Sequence, residues 1–445
     1  MRYEYFSSLL KPHCSPLILM QTTIGKYRWT IVALLFFATT INYLDRQVIG
    51  LLKPTLEKQF SWSEKDYSYI VISFQAAYAF SLLVFGGIID KIGTKSGYII
   101  SIIGWSLAAI AHAFAKSTFG FGVARAALGL GEAGNFPAAI KATAEWFPKK
   151  ERALATGIFN SGANIGAVFA PVMVPWILGV YGWEMAFIVT GAIGFVWLIF
   201  WWIYYETPAK HPKLSKEEFD YIHSDNEEID ANEKPVAWLK LFGIRQTWAF
   251  FFGKMLTDPI WWFFLFWLPS YFSTTFNLDL KKPSLPLIIV YTATTIGSIG
   301  GGYLSGYFIK KGWQIHKARK ISMLIFAICV VPIMAARYAT DIWQAVALIS
   351  LAAAAHQAWS ANIYTVASDM FPKKAISSVI GIGGMAGSVG GIVFPLIVGS
   401  LLDSYKASGD INAGYNIIFL MCGSAYLLAW FIMNFFAPKN EQVVI

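Results

Sequence analysis

Phe147-Pro148-Lys149-Lys150 returns 224 residues later as Phe371-Pro372-Lys373-Lys374, in a chain of 445 residues. The register holds through Gly157/Gly381, Gly166/Gly390 and Pro171/Pro395, and Glu145 has its counterpart in Asp369. A repeat at half the chain length means that both halves must adopt one architecture. Where such a chain is also strongly apolar, parallel repeats imply two membrane bundles with a binding site at their interface.

The composition supplies that second condition. Hydrophobic residues make up 56% of the chain and charged residues 14%, against about 25% charged in soluble domains. About 20 apolar residues cross a bilayer core. Twelve such windows occur, near 29–50, 67–89, 97–115, 119–141, 153–178, 184–205, 247–271, 285–309, 320–338, 342–365, 376–402 and 415–437. The expected fold is an all-α membrane protein with twelve transmembrane helices in two six-helix pseudo-symmetric bundles.

The net charge of +9 is distributed by loop and carries no nucleic-acid signal. Lys26, Arg28, Lys91, Lys95, Lys149, Lys150, Arg152, Lys310, Lys311, Lys317, Arg319, Lys320, Lys373 and Lys374 occupy alternate connections. Lys53, Lys58, Lys65, Lys281 and Lys282 are exceptions. The positive-inside rule then places both termini in the cytoplasm. Cys14, Cys329 and Cys422 have no metal-binding spacing and no disulfide pattern. The first 20 residues show no typical signal peptide, since Pro12, His13 and Pro16 break the apolar stretch.

The expected division is a cytoplasmic tail over 1–25, an N-terminal bundle over 26–205, a cytoplasmic linker over 206–245, a C-terminal bundle over 246–438 and a tail over 439–445. Met1 and Met20 are alternative starts. Within the linker, 215–222 reads as a short amphipathic helix and 225–233 as an acidic stretch. The linker is expected to act as a tether, with regulation as the alternative.

Charges inside spans mark ion or substrate pathways. Span one carries Asn42, Tyr43, Asp45, Arg46 and Gln47, and span four carries Arg125 and Glu132. At about 1.5 Å per residue, Asp45 and Arg125 lie at similar depths, which allows them to pair. Glu132 lies near the midplane. A carboxylate in a low-dielectric site holds its proton more tightly, and a nearby arginine reverses the effect. Asp45, Glu132 and Arg125 are therefore the candidate proton-coupling residues, against the alternative of permanent salt bridges. Arg46 has a planar fork that matches a carboxylate and is the candidate anchor for an anionic substrate, with Tyr43 and Tyr78 beside it.

In the second half, Lys254 and Asp258 share a helical face, and span ten carries His356, Gln357, Trp359 and Asn362. With Asn160 and Asn164 of span five, this mixture of amides, imidazole and indole suits a polyhydroxylated ligand. Between spans two and three, Asp90, Lys91, Gly93 and Lys95 form a turn able to lock onto neighbouring helix ends by charge and helix dipole. They are the candidate gating residues. The corresponding segment over 302–306 lacks the aspartate.

The segment over 86–95 resembles the loop motif of the major facilitator superfamily. Asn42-Tyr43-Leu44-Asp45-Arg46 and Gly131-Glu132-Ala133-Gly134-Asn135-Phe136-Pro137 are similar to its anion:cation symporter family, and Glu145-Trp146-Phe147-Pro148 and Arg152 extend the match. His356-Gln357-Ala358 and Ser368-Asp369-Met370-Phe371 resemble the bacterial hexuronate (glucuronate/galacturonate) branch. The resemblance implies alternating access and proton-driven uptake of sugar acids. Asp45 and Glu132 fall on proton-linked positions, Arg46, Tyr43 and Tyr78 on cavity positions, and Arg125 on the charge network. Ala163 and Gly384 stand where galactonate-type members carry a glutamine and an asparagine, which argues against galactonate.

The expectation is therefore a proton-coupled hexuronate symporter of the bacterial inner membrane. It needs no cofactor beyond the proton, and a monomer suffices. Another sugar acid or organic anion, or a uniporter or sensor on the same fold, is the alternative. No nucleophile–base pair or metal constellation points to an enzyme.

Overall fold

The computed structural model describes residues 25–224, 238–371, 373–439 and 443, and these are helical with no strand. The start of the chain, with its Met1 and Met20 alternatives, and the acidic stretch over 225–233 lie outside the described residues. The first half contains α1 (Tyr27–Phe60), α2 (Glu64–Ile92), α3 (Thr94–Ala111), α4 (Thr118–Glu132), α5 (Asn135–Trp146), α6 (Lys149–Tyr181) and α7 (Trp183–Tyr204). Two short helices follow, α8 (Lys216–Ile222) and α9 (Trp238–Phe242). The second half contains α10 (Arg245–Phe266), α11 (Leu268–Phe276), α12 (Leu285–Lys310), α13 (Ile315–Val330), α14 (Ile342–Met370), α15 (Lys373–Ala407) and α16 (Ile411–Phe436).

Two spans are broken, α4–α5 and α10–α11, and counting each as one gives twelve. The fourth span, expected to be continuous, breaks at Ala133–Gly134. There a Cβ on Gly134 would meet Ser101 Oγ at 2.4 Å and the Phe85 ring at 2.6 Å. Among the described residues, seven helices are long and apolar enough on their own to cross a membrane. Others, such as α1 and α10, are interrupted by the charged residues that make up the site. The first helix also runs ten residues beyond its expected end at 50, through Lys53 and Pro54. Lys53 is tolerated there because it is fully buried against Glu57 and Glu64 rather than exposed to lipid.

The repeat has a packing explanation. A Cβ on Gly166 of α6 would lie 2.4 Å from the Thr40 carbonyl of α1, and one on Gly390 of α15 would lie 2.3 Å from the Met255 carbonyl of α10. In each half, the first helix packs backbone to backbone on the fifth span through a glycine at the same register. Glu145 and Asp369 also play matching parts. Glu145 accepts from Thr94 at the start of α3 (2.7 Å), and Asp369 pairs with Arg319 in the first turns of α13 (3.2 Å).

The linker does more than tether. Helix α8, capped by Ser215, docks on the first half. Its Glu218 accepts from the first two amides of α1, Tyr27 N at 3.0 Å and Arg28 N at 3.1 Å, and pairs with the Arg28 guanidinium at 3.1 Å. These amides have no intrahelical acceptor, and Lys26 provides no side-chain cap.

Candidate functional site

The charged stretch of α1 faces α2, α4 and the second half. Arg46 forms an ion pair with Glu132 of α4, with side chains 3% and 0% exposed. Its guanidinium is surrounded by aromatic rings, Tyr78 at 4.6 Å, Tyr43 at 4.8 Å, Phe74 at 5.2 Å and Trp262 at 5.7 Å. Trp262 belongs to α10, so the pair sits where the halves meet. A delocalised cation tolerates such faces well. One oxygen of Glu132 remains without a hydrogen bond.

Asp45 and Arg125 do not form the ion pair that their depths allow. Arg125 donates from NH2 to the Arg46 carbonyl at 3.0 Å and lies over the Phe74 and Phe266 rings at 5.0 and 5.5 Å. Asp45 is buried, with both carboxylate oxygens unpartnered, on the side of α1 toward Thr190 of α7. Rise per residue gives height along a helix but not the direction in which each side chain points. Asn42 Nδ2, both amide atoms of Gln47, and Nε and NH1 of Arg125 are also buried without partners. The result is a dense polar layer beside the Arg46–Glu132 pair.

In the second half, Lys254 binds Asp258 at 2.7 Å and donates to the Tyr364 hydroxyl at 2.9 Å, with its Nζ 4.5 Å from that ring. Tyr364 is 40% exposed and close enough to Tyr43 to interact electrostatically with it across the halves. The sequence reasoning missed Tyr364. The available signal was its position two helical turns beyond Gln357, on the same face.

His356 is held inside its own half. Its Nδ1 meets the Tyr426 hydroxyl, its ring stacks on Trp261 at 5.5 Å, and it is 3% exposed. It is a packed hydrogen-bonding group, as deeply buried as Arg46 and Lys254. Asn362 is likewise structural, donating to the carbonyls of Gly301 (2.8 Å) and Ala358 (2.9 Å). Gln357 and Asn164 are half-buried and Asn160 is exposed.

At the turn between α2 and α3, Gly93 takes φ +85°, a conformation that favours glycine. Lys95 pairs with Glu206 just beyond the end of α7 at 3.0 Å, so its partner is the first residue of the linker and not part of the opposite half. Lys91 is exposed, and the side chain of Asp90 lies outside the described set.

Two pseudo-symmetric six-span halves that bury arginine, lysine and carboxylates along their seam have the architecture of a two-bundle transporter, in which charge at that depth marks a route for ions or polar solutes. The family model of the Major Facilitator Superfamily matches residues 35–395. The chain belongs to this superfamily, as a multi-pass transporter and not an enzyme. It is 34% identical to the hexuronate transporter of Escherichia coli K12 over 381 residues, covering 85% of this chain and 88% of that one. It is 36% identical to the galacturonate transporter of Dickeya chrysanthemi over 285 residues, covering 64% and 83%. Its fold matches the crystal structure of a bacterial homologue of the human lysosomal transporter Spinster in an inward-facing, unoccupied conformation. The TM-score is 0.77 at 17% identity, covering 95% of this chain and all of that one.

Proposed function

We propose that this chain is a proton-coupled symporter that imports hexuronates, glucuronate or galacturonate, across a bacterial inner membrane by alternating access. The observation that carries the reading is the buried Arg46–Glu132 pair among Tyr43, Tyr78 and Trp262. While Glu132 is ionised it holds Arg46 through Nε and neutralises its charge. A proton taken up on Glu132 removes that negative charge and leaves the guanidinium to a sugar carboxylate. The aromatic faces suit the apolar face of a sugar ring, and Lys254 with Tyr364 supplies donors from the other half. On the inner side the sugar acid leaves, Glu132 loses its proton, and the ion pair re-forms. Asp45, buried without a partner, is a second proton acceptor, which would make uptake electrogenic.

The distribution of basic loops supports a cytoplasmic position for both termini. Residues 26–205 and 246–438 act as the two moving units, and a single copy suffices. The names of the relatives support the substrate class. The test is uptake of labelled galacturonate and glucuronate into proteoliposomes, with an inward proton gradient imposed and then collapsed. Gradient-driven accumulation of either one is expected. Transport only of other anions would overturn the hexuronate assignment and leave the fold intact.

A further inference from the structure

The two halves are also joined far from this site, at the face opposite the termini. Lys53 of α1 is fully buried and binds Glu64 at 2.6 Å and Glu57 at 3.2 Å, both in its own half, and Ser270 of α11 at 3.0 Å. Glu64 also accepts from the Trp267 indole at 3.1 Å. Above them Asp403 of α15 accepts from the first two amides of α2, Glu64 N at 2.7 Å and Lys65 N at 2.9 Å, while Lys406 pairs with Glu57. The residue before α2, Ser63, caps a different amide, that of Asp66.

The distribution of partners is informative. If the halves part here, Lys53 keeps both of its carboxylates, because both move with it. The contacts that break are hydrogen bonds to neutral groups (amides, a hydroxyl and an indole), with that of the Tyr67 hydroxyl to the Phe266 carbonyl (2.9 Å), plus the Lys406–Glu57 pair, whose lysine is half exposed. No buried charge is left unpaired, which is the outcome that makes separating an ordinary buried ion pair so unfavourable. The contact can therefore close firmly and still open.

We propose that Asp403, seated on the amino end of α2, and the Lys53 cluster beneath it form the outer gate of the transporter. This assignment rests on the alternating-access reading above. Removing the Asp403 charge weakens the closed outer face without touching the substrate site.

The test uses the full-length protein in nanodiscs, with Cys14, Cys329 and Cys422 replaced by serine and Ser68→Cys as reporter. Ser68 is fully buried, and Gly399 of α15 approaches it so closely that a Cβ there would lie 2.7 Å from its hydroxyl. Asp403→Asn is expected to raise the maleimide labelling rate at this position about tenfold, and Lys406→Gln to raise it by a smaller factor. Ser106→Cys, buried within the first half, is expected to label at an unchanged rate in both variants. Unchanged labelling of the Ser68→Cys reporter in both variants would show a static interface and overturn the proposal. A parallel rise at the Ser106→Cys control would show general loosening and overturn it equally. No substrate is present, so the result does not depend on which anion is carried.

Discussion

Arg46 faces two competing partners. In the proposed cycle it neutralises Glu132 in the resting site and binds a substrate carboxylate in the loaded one, and one positive charge cannot neutralise two full negative charges. Glu132→Gln, which imitates the protonated state, is expected to abolish uphill uptake while substrate binding or exchange persists. Full accumulation against a gradient by this variant would refute coupling through Glu132. Arg46→Lys keeps the charge but loses the planar fork, so KM for the sugar acid is expected to rise on the order of ten- to a hundredfold. Uptake kinetics in proteoliposomes would measure both. At this scale the sequence pointed to buried charged groups but not to their partners. Asp45 and Arg125 match in height, and the packing of α1 against α4 and α7 decides which of them face each other. The contacts of His356 were hidden for the same reason, since Tyr426 and Trp261 approach it from helices distant in sequence.

At the scale of elements, two helix starts are capped by carboxylates from distant segments, α1 by Glu218 and α2 by Asp403. Near the first of these, His211 packs against Tyr27 at 4.3 Å and Trp146 at 5.3 Å and accepts from the Lys213 amide at 3.2 Å, an arrangement suited to a neutral ring. Burial holds the His211 pKa below its ordinary value. Below about pH 6.5, the undocked segment therefore gains a proton that the docked one refuses, and docking weakens as the pH falls. Glu206 stays ionised through that range, because its hydrogen bond from Lys95 lowers its pKa. Limited proteolysis of the 206–224 segment should accelerate from pH 7.5 to 5.5, and His211→Phe should flatten the response. A pH-independent wild type would disprove this. The repeat glycines give a second prediction at this scale. Gly166→Leu or Gly390→Leu pushes a side chain into a carbonyl of the facing helix and is expected to cost about 1–3 kcal/mol, read as a lower melting temperature in detergent.

For the whole molecule, the prediction concerns orientation. Tags at either terminus should resist protease added to spheroplasts, whereas a cleavage site inserted at 61–63, between α1 and α2, should be cut. The reverse pattern would invert the reading of the basic loops. The twelve spans, the duplication and the polar core of the site were legible because each is a property of the chain in one dimension. Apolar run length sets a crossing, a repeated register sets a shared architecture, and a charge inside a run marks a functional position. The outer gate was not legible, and Lys53 stood only as an exception to the charge pattern. Its meaning depends on Glu64 of α2 and Ser270 of α11 meeting it, and on Asp403 of α15 holding the start of α2 above it. By itself the sequence determined how many helices cross the membrane and which chemical groups they carry. The tertiary structure alone decided which groups meet, because pairing depends on the rotation and crossing of helices packed against partners far away in the chain.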